Sequence, residues 1–402
     1  MNKIFLTLCS CIGILISVSA QQLKSPEQYL GYPLGSHYTR HQEIVGYFQA
    51  VAAAEPEHVQ LIPYGKTNEG RELLAVAVSS AENIRNLESI RKNNMRLTGI
   101  LSDGVLPDTV HAPVIVWLSY NVHGNEPSSS EAALQTLFRL ADPSNQQAVS
   151  WLQHTVVILD PCINPDGRDR SVNWFNSVVG ASPNPDPASR EHTEPWPGGR
   201  TNHYNFDLNR DWAWQTQIET RQRMKLYNEW LPQVHVDFHE QGINEPYYFA
   251  PAANPYHLVI TPWQRRFQEM IGKNNAKYFD ENGWLFFTKE RFDLLYPSYG
   301  DTYPLYNGAI GMTFEQGGGS RGGLAVIKGD GDTLTLSDRL MHHYITGMST
   351  VETAASHRVE LLSQFTAFYR NSLNGQSGGY ATYVLTDADE NKIRSVVELL
   401  QQ

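Results

Sequence analysis

Pro113-Val-Ile-Val-Trp-Leu-Ser-Tyr120 runs directly into Asn121-Val-His-Gly-Asn-Glu126. Eight residues without a charge, at strand length, are the pattern of a strand covered on both faces. Ser130 to Ala141 then carries helical periodicity, with Ser128 or Ser129 as its cap and Glu131 in the first turn. Thr155 to Leu159 is the next apolar run of strand length. Strand, helix and strand in that order predict a βαβ unit and a largely parallel sheet, so the chain reads as α/β.

Outward from this unit the pattern continues. Residues 37–54 predict an amphipathic helix, and Val59 to Ile62 and Leu73 to Val78 predict two strands around the turn Gly65-Lys-Thr-Asn-Glu-Gly-Arg71. Residues 180–200 are rich in Pro, Asn and Gly and predict a long surface excursion, a common home for function. Beyond it come a helix over 218–231, a strand over Val234 to Phe238, and a strand ending at Gly311-Met-Thr-Phe-Glu315. A hairpin turning at Gly329-Asp-Gly331 follows, then a helical pattern from about 338 to 373. After Gly378-Gly379, Tyr380 to Leu385 reads as a strand and Asp387 to Leu400 as a helix. The linker-like composition of 374–379 makes that tail the expected opening of a second domain, with a final edge strand of the same sheet as the rival.

Composition narrows the function classes. With 41% hydrophobic and 18% charged residues the chain can bury a sizeable core, which excludes a disordered protein. A net charge of −11 without a Lys/Arg cluster argues against nucleic acid as a partner. Lys3, the apolar run Ile4 to Ile16 and Val18-Ser-Ala20 match a leader cut before Gln21. A lipoprotein signal through Cys11 is the rival, at the cost of a very short apolar region. Cleavage removes one of 31 basic residues and none of the 42 acidic ones, giving −12. The expected location is secreted or periplasmic, with no membrane span elsewhere. Cys9 and Cys11 leave with the leader, so Cys162 stands alone and is expected as a buried apolar group.

The chemistry-bearing residues lie at predicted strand ends, where open α/β sheets build their sites. His123 and Glu126 follow the first strand, three residues apart. In Val234-His-Val-Asp-Phe-His239 a period of two sets His235, Asp237 and His239 on one face. Two histidines and one glutamate with an open fourth position suit a catalytic zinc. Glu315, at the end of an apolar strand, suits the base for a metal-activated water, since an unpaired carboxylate is costly in a core. Asn209 with Arg210, in Asp207-Leu-Asn-Arg-Asp-Trp212, suits a planar carboxylate. Two further patterns fail their context. Gly318-Gly-Ser-Arg-Gly322 lacks the strand-to-helix turn of a nucleophile elbow, and His239-Glu240 meets Ile243 where a second zinc-binding histidine would stand.

His123-x-x-Glu126, Asn164-Pro-Asp-Gly167, Asp207-Leu-Asn-Arg210, Asp237-Phe-His239 and Thr313-Phe-Glu315 follow one another as in the carboxypeptidase A-like superfamily of zinc metallocarboxypeptidases, which the chain resembles over roughly residues 37–350. The bacterial secreted members are the nearest in pattern. The resemblance implies a central mixed, largely parallel eight-stranded sheet flanked by helices, one Zn²⁺ per chain, and exopeptidase action on a substrate with a free C-terminal carboxylate. It implies His123, Glu126 and His239 as metal ligands, with Asp207 orienting the first histidine. Asn209 and Arg210 would clamp the carboxylate, and Glu315 would be the base. Arg200 matches the family's oxyanion donor, with Arg168 and Arg170 as rivals. Tyr296 matches the tyrosine that caps substrate, with Tyr299 as rival. Asp301 and Thr302 are the candidates for the base of the specificity pocket, which leaves the preference for basic or neutral side chains open. The expected organisation is a leader over 1–20, a catalytic domain over 21–373, and a linker plus βα segment over 374–402. Cell-wall stem peptides or N-acyl amino acids are alternative substrates on the same fold, and a non-catalytic peptide-binding module is the alternative of another class.

Overall fold

The computed structural model describes residues 22–376, Tyr380 and residues 382–401. The expected leader and Gly378-Gly379 lie outside the described residues.

The strands are β1 (Val59–Lys66), β2 (Glu72–Val78), β3 (Val114–Tyr120), β4 (Thr155–Asp160), β5 (Val234–Gln241), β6 (Tyr247–Tyr248), β7 (Ala253–Tyr256), β8 (Phe286–Phe287), β9 (Asp293–Leu294), β10 (Ile310–Gly317), β11 (Ala325–Ile327) and β12 (Thr333–Thr335). Eight of them form one mixed sheet in the order β1-β2-β4-β3-β5-β10-β6-β8. Its middle four strands, β4-β3-β5-β10, are parallel. Helices cover both faces, as an all-parallel centre requires. Every side chain of β3 and β4 is buried, so the uncharged run 113–120 lies in the middle of the core. The expected α/β architecture is the observed one.

Chain order explains where the site falls. From β3 the next strand, β4, is laid on one side and β5 on the other, so the order reverses between β3 and β5. Loops leaving the carboxyl ends of β3 and β5 diverge there and open a crevice.

Some local expectations change. The helix after β3 is Ser128–Ala141 and starts without a side-chain cap of its own. Instead the Glu240 carboxylate of β5 accepts from the backbone N–H and hydroxyl of Ser128, at 2.9 and 2.8 Å. Glu131 stands in the first turn as expected, buried against Arg168 at 2.7 Å. The single helix expected over 338–373 is two, Leu336–Ser356 and Arg358–Leu373, broken where His357 leaves helical angles (φ −116°, ψ 23°). Asn164-Pro-Asp-Gly167 opens a helix, Pro165–Val178, which Asn164 caps by accepting from Gly167 N at 3.0 Å. Of the strand expected over 380–385, Tyr380 and residues 382–385 carry no strand, and Ala381 lies outside the described residues. Only the helix Glu390–Leu400 follows, and none of its described side chains is buried. No helix of the described residues is long and apolar enough to cross a membrane.

Candidate metal centre and substrate cavity

β5 and β10 run parallel with Glu315 opposite His239, and β3 pairs with β5 so that Ser119 faces Asp237. This register brings the ends of three strands to one level. His123 and Glu126 arrive from the loop after β3, His239 from β5 and Glu315 from β10. That loop packs tightly: a Cβ on Gly124 would overlap the backbone of Gly167 and Arg168, so only glycine fits there.

Ligand atoms of His123, Glu126 and His239 all lie within 4.8 Å of one another, and the three residues are buried. Nδ1 of His123 is 2.8 Å from Oε1 of Glu126, and Nδ1 of His239 is 3.1 Å from Oε2. Each far ring nitrogen meets a carboxylate. His123 Nε2 is 3.1 Å from Asp207 and His239 Nε2 is 3.0 Å from Asp237. A proton on His123 Nε2 shared with Asp207 leaves its inward Nδ1 free to coordinate, while His239 Nε2 faces both Asp237 and, at 3.2 Å, Asn209 Nδ2.

These atoms fit a divalent metal on their own chemistry. Two neutral nitrogens and one carboxylate converge, and three protein donors leave a zinc ion one open corner. Burial works against ionisation of Glu126, yet His123 and His239 beside it hold its carboxyl well below the ordinary range. Asp207 is depressed likewise: burial opposes, and His123 and Arg200 prevail.

A cavity of about 370 Å³ opens over this centre. Its lining includes His123, Glu126, Arg200, Asn209, Arg210 and His239, together with Phe292, Tyr299, Asp301 and Glu315. Burial pushes Glu315 up to about 8, with Glu126 and Asp237 adding to the shift and His239 and Arg200 opposing it. A bound cation would act in the same direction as His239 and restore the carboxylate.

The arginines now separate. Arg200 lies against Asp207 at 3.0 Å and Glu126 at 3.4 Å, within the cavity wall. Its backbone carbonyl accepts from Asn164 Nδ2 at 3.2 Å, so the Asn-Pro-Asp-Gly segment holds Arg200 in position. Arg168 is fully buried and donates to Thr39 O, Pro127 O and Glu131. Arg170 donates to the carbonyls of Gly198 and Asn202. Neither rival lines the cavity. Asn209 accepts from Gly300 N at 2.9 Å, and the Arg210 guanidinium lies 4.6 Å from the Tyr299 ring centre.

The two tyrosines differ in place. Tyr299 lines the cavity, whereas Tyr296 does not: it is partly exposed, and its hydroxyl accepts from Trp214 Nε1 at 3.0 Å. The two rings are packed 4.8 Å apart, so Tyr296 flanks the wall from behind Tyr299. Asp301 lines the cavity and Thr302 donates to it at 2.8 Å, which separates the two specificity candidates.

Asp237 is the functional residue missed by sequence reasoning. Its spacing of two from His239 was legible, but two same-face residues need not touch until the ring's rotation is known. Of the decoys, Gly319–Arg321 forms one short 3-10 turn after β10, and Glu240 is buried against Arg339 at 2.7 Å. Cys162 is buried too, and burial pushes its thiol up to about 12, so it offers no nucleophile.

The family model described as zinc carboxypeptidase matches residues 44–240, a span that includes all three ligand residues but ends before Glu315. Carboxypeptidase 2 of Trichophyton rubrum is 29% identical over 126 residues, which is 31% of this chain and 18% of that protein. The chain thus matches less than a fifth of the length of such curated relatives. Among solved structures, a metallo-carboxypeptidase from Burkholderia cenocepacia overlays with a TM-score of 0.56 at 14% identity, covering 79% of this chain and 70% of that one. The carboxypeptidase A from Helicoverpa armigera gives 0.53 at 15%, covering 84% and 77%. These overlays establish the shared fold. Over residues 44–240 the chain is thus similar to the zinc carboxypeptidase family, and it shares its fold with solved carboxypeptidases.

Proposed function

We propose that this chain is an exported zinc carboxypeptidase that removes the C-terminal residue of peptides. One observation carries the reading: the inward nitrogens of His123 and His239 and the Glu126 carboxylate converge in a cavity that also holds Glu315, Arg200 and Arg210. A metal ion held by the three ligands would supply Lewis-acid polarisation and acidify a water.

The protein's own groups do the rest. Arg210 binds the substrate's terminal carboxylate, with Asn209 beside it. Arg200 donates to the scissile carbonyl oxygen as negative charge builds there. Glu315 takes a proton from the attacking water as the C–O bond forms. It then delivers that proton to the departing amine as the C–N bond breaks. Tyr299, in the cavity wall, closes over the terminal residue in the role first assigned to Tyr296.

Export follows from Lys3, the apolar run and Val18-Ser-Ala20, and delivers the enzyme to a compartment where cell-wall stem peptides are available substrates. The test is a peptide library incubated with the protein with and without chelator and read by mass spectrometry. Chelator-sensitive loss of single C-terminal residues is expected. Muropeptides and N-acyl amino acids run alongside distinguish those substrates. A protein that binds peptides without zinc and never cleaves them would be a binding module instead.

A further inference from the structure

His192 makes two contacts that a neutral ring cannot satisfy together. It is buried on the 3-10 turn Arg190–His192, inside the Pro-, Asn- and Gly-rich excursion over 180–200. Its Nδ1 lies 2.7 Å from the carbonyl oxygen of Arg321, and its Nε2 lies 2.7 Å from the carbonyl oxygen of Asn184. A carbonyl oxygen only accepts, and a neutral imidazole has one N–H to give. Both bonds form only when the ring carries both protons. The ring is closely fitted as well, since a Cβ on Gly323 would stand 2.8 Å from its Cε1.

The two ends of this latch lie on opposite sides of a pocket. Asn184 belongs to the excursion, which is also tied to the loop after β3: Glu194 accepts from Asn125 Nδ2 and from Gly199 N, each at 2.8 Å. Arg321 belongs to the turn after β10, and its guanidinium reaches back to the excursion, donating to Pro187 O at 3.2 Å. Asn125, Arg200 and the turn 318–321 line a pocket of about 310 Å³. Glu126 and Arg200 line both this pocket and the cavity over the metal ligands, so the two spaces adjoin there. Arg210 and Tyr299 line only the cavity. A peptide with its terminal carboxylate at Arg210 and its scissile carbonyl at Arg200 therefore has its preceding residues in the pocket that Arg321 borders.

We propose that His192, as an imidazolium, is a positioning residue for the part of the substrate that precedes the scissile bond. It holds the turn 318–321 against the excursion and keeps that half of the cleft in shape, while lining neither space itself. This rests on the carboxypeptidase reading above and adds to it a residue remote from the chemistry.

The experiment uses the full chain with zinc and two substrates that share their C-terminal residue, an N-acetylated dipeptide and a hexapeptide. His192→Gln should raise KM for the hexapeptide roughly tenfold, the usual worth of one charge-assisted hydrogen bond, and leave kcat, dipeptide kinetics and zinc content at parent values. Nuclear magnetic resonance of protein labelled at its histidine nitrogens reads the ring directly. One buried ring should carry two slowly exchanging N–H protons, and that signal should vanish in His192→Gln. Neither His123 nor His239 can give it with zinc bound, since each lends a nitrogen to the metal. Absence of such a ring overturns the proposal, whether or not the variant folds. An equal change on both substrates, or none on either, also overturns it and leaves the carboxypeptidase reading standing. If the parent cleaves neither peptide, the enzyme reading falls, and tighter hexapeptide binding by the parent than by His192→Gln still supports the latch.

Discussion

Oδ2 of Asp237 lies 3.0 Å from Nε2 of His239, two residues further along the same strand. The contact depends on Gly300, where a Cβ would overlap the Asp237 carboxylate. Sheet alternation, a missing side chain and a ring rotation together aim the inward Nδ1 of His239 at Glu126. Acids behind metal-binding histidines typically carry 10–100-fold in metal affinity. Asp237→Asn should therefore weaken zinc binding by about that factor, and Gly300→Ala should act in the same direction. Competition with a chromophoric chelator measures it; an unchanged Kd in both variants would make the contact mere packing.

Glu315 belongs to the chemistry and not to the ligand set. Glu315→Gln should keep its zinc yet lose on the order of 10²–10⁴-fold in kcat, the usual worth of a general base. Metal analysis and turnover on one preparation decide it, and hydrolysis at the parent rate would remove Glu315 from the mechanism.

Arg168 and Arg200 should fail in different ways. Arg168 and Glu131 form a pair with no exposed side-chain surface, and removing one partner of such a pair typically costs about 3–5 kcal/mol. Arg168→Ala should lower the urea midpoint, with turnover per folded molecule little changed. Arg200→Ala should leave the midpoint near the parent value and reduce kcat by roughly 10²–10³-fold, the loss expected for an oxyanion donor. Swapped phenotypes would reassign the two roles.

Arg210→Ala should act on binding. KM for free-acid peptides should rise steeply, while peptides amidated at the C-terminus should be poor substrates for parent and variant alike. A parent enzyme that cleaves amidated and free-acid peptides equally well would rule out a carboxylate clamp.

Asp160 gives a pH signature in stability. Burial pushes it up to about 7, with Asp237 adding and Arg223 and Tyr64 opposing. A folded value above the ordinary 3.8 means the native state holds a proton that the unfolded chain has released across that window. The contribution is full below the lower value and is lost as pH rises toward 7. Asp160→Asn, which cannot titrate, should gain on the parent by a kcal/mol or more between pH 5 and pH 8 in urea unfolding. A constant difference between the two proteins across that range would contradict the shift.

Much of the site could be read before any coordinates. The uncharged run 113–120 and the His and Glu after it announce a buried strand with chemistry at its end, because burial on both faces leaves a one-dimensional trace. Helix signals are legible too: Thr261-Pro262 with Gln264, closing at Gly283, bounds the 21-residue helix Pro262–Asn282. The choice among Arg168 and Arg170, which follow Asn164-Pro-Asp-Gly167, and Arg200, which precedes Asn209, was not open to sequence, since what distinguishes them is which carbonyls and carboxylates surround each.

Sequence by itself determined the residue types, their order and the burial of the strands that carry them, because periodicity and charge are local properties of the chain. Tertiary structure alone decided that Tyr299 rather than Tyr296 forms the wall, that Asp237 stands behind His239, and that Asp301 faces the cavity unpaired. Each depends on a rotation of one side chain about its own bonds, set by neighbours many residues away, and no spacing along the chain encodes that angle.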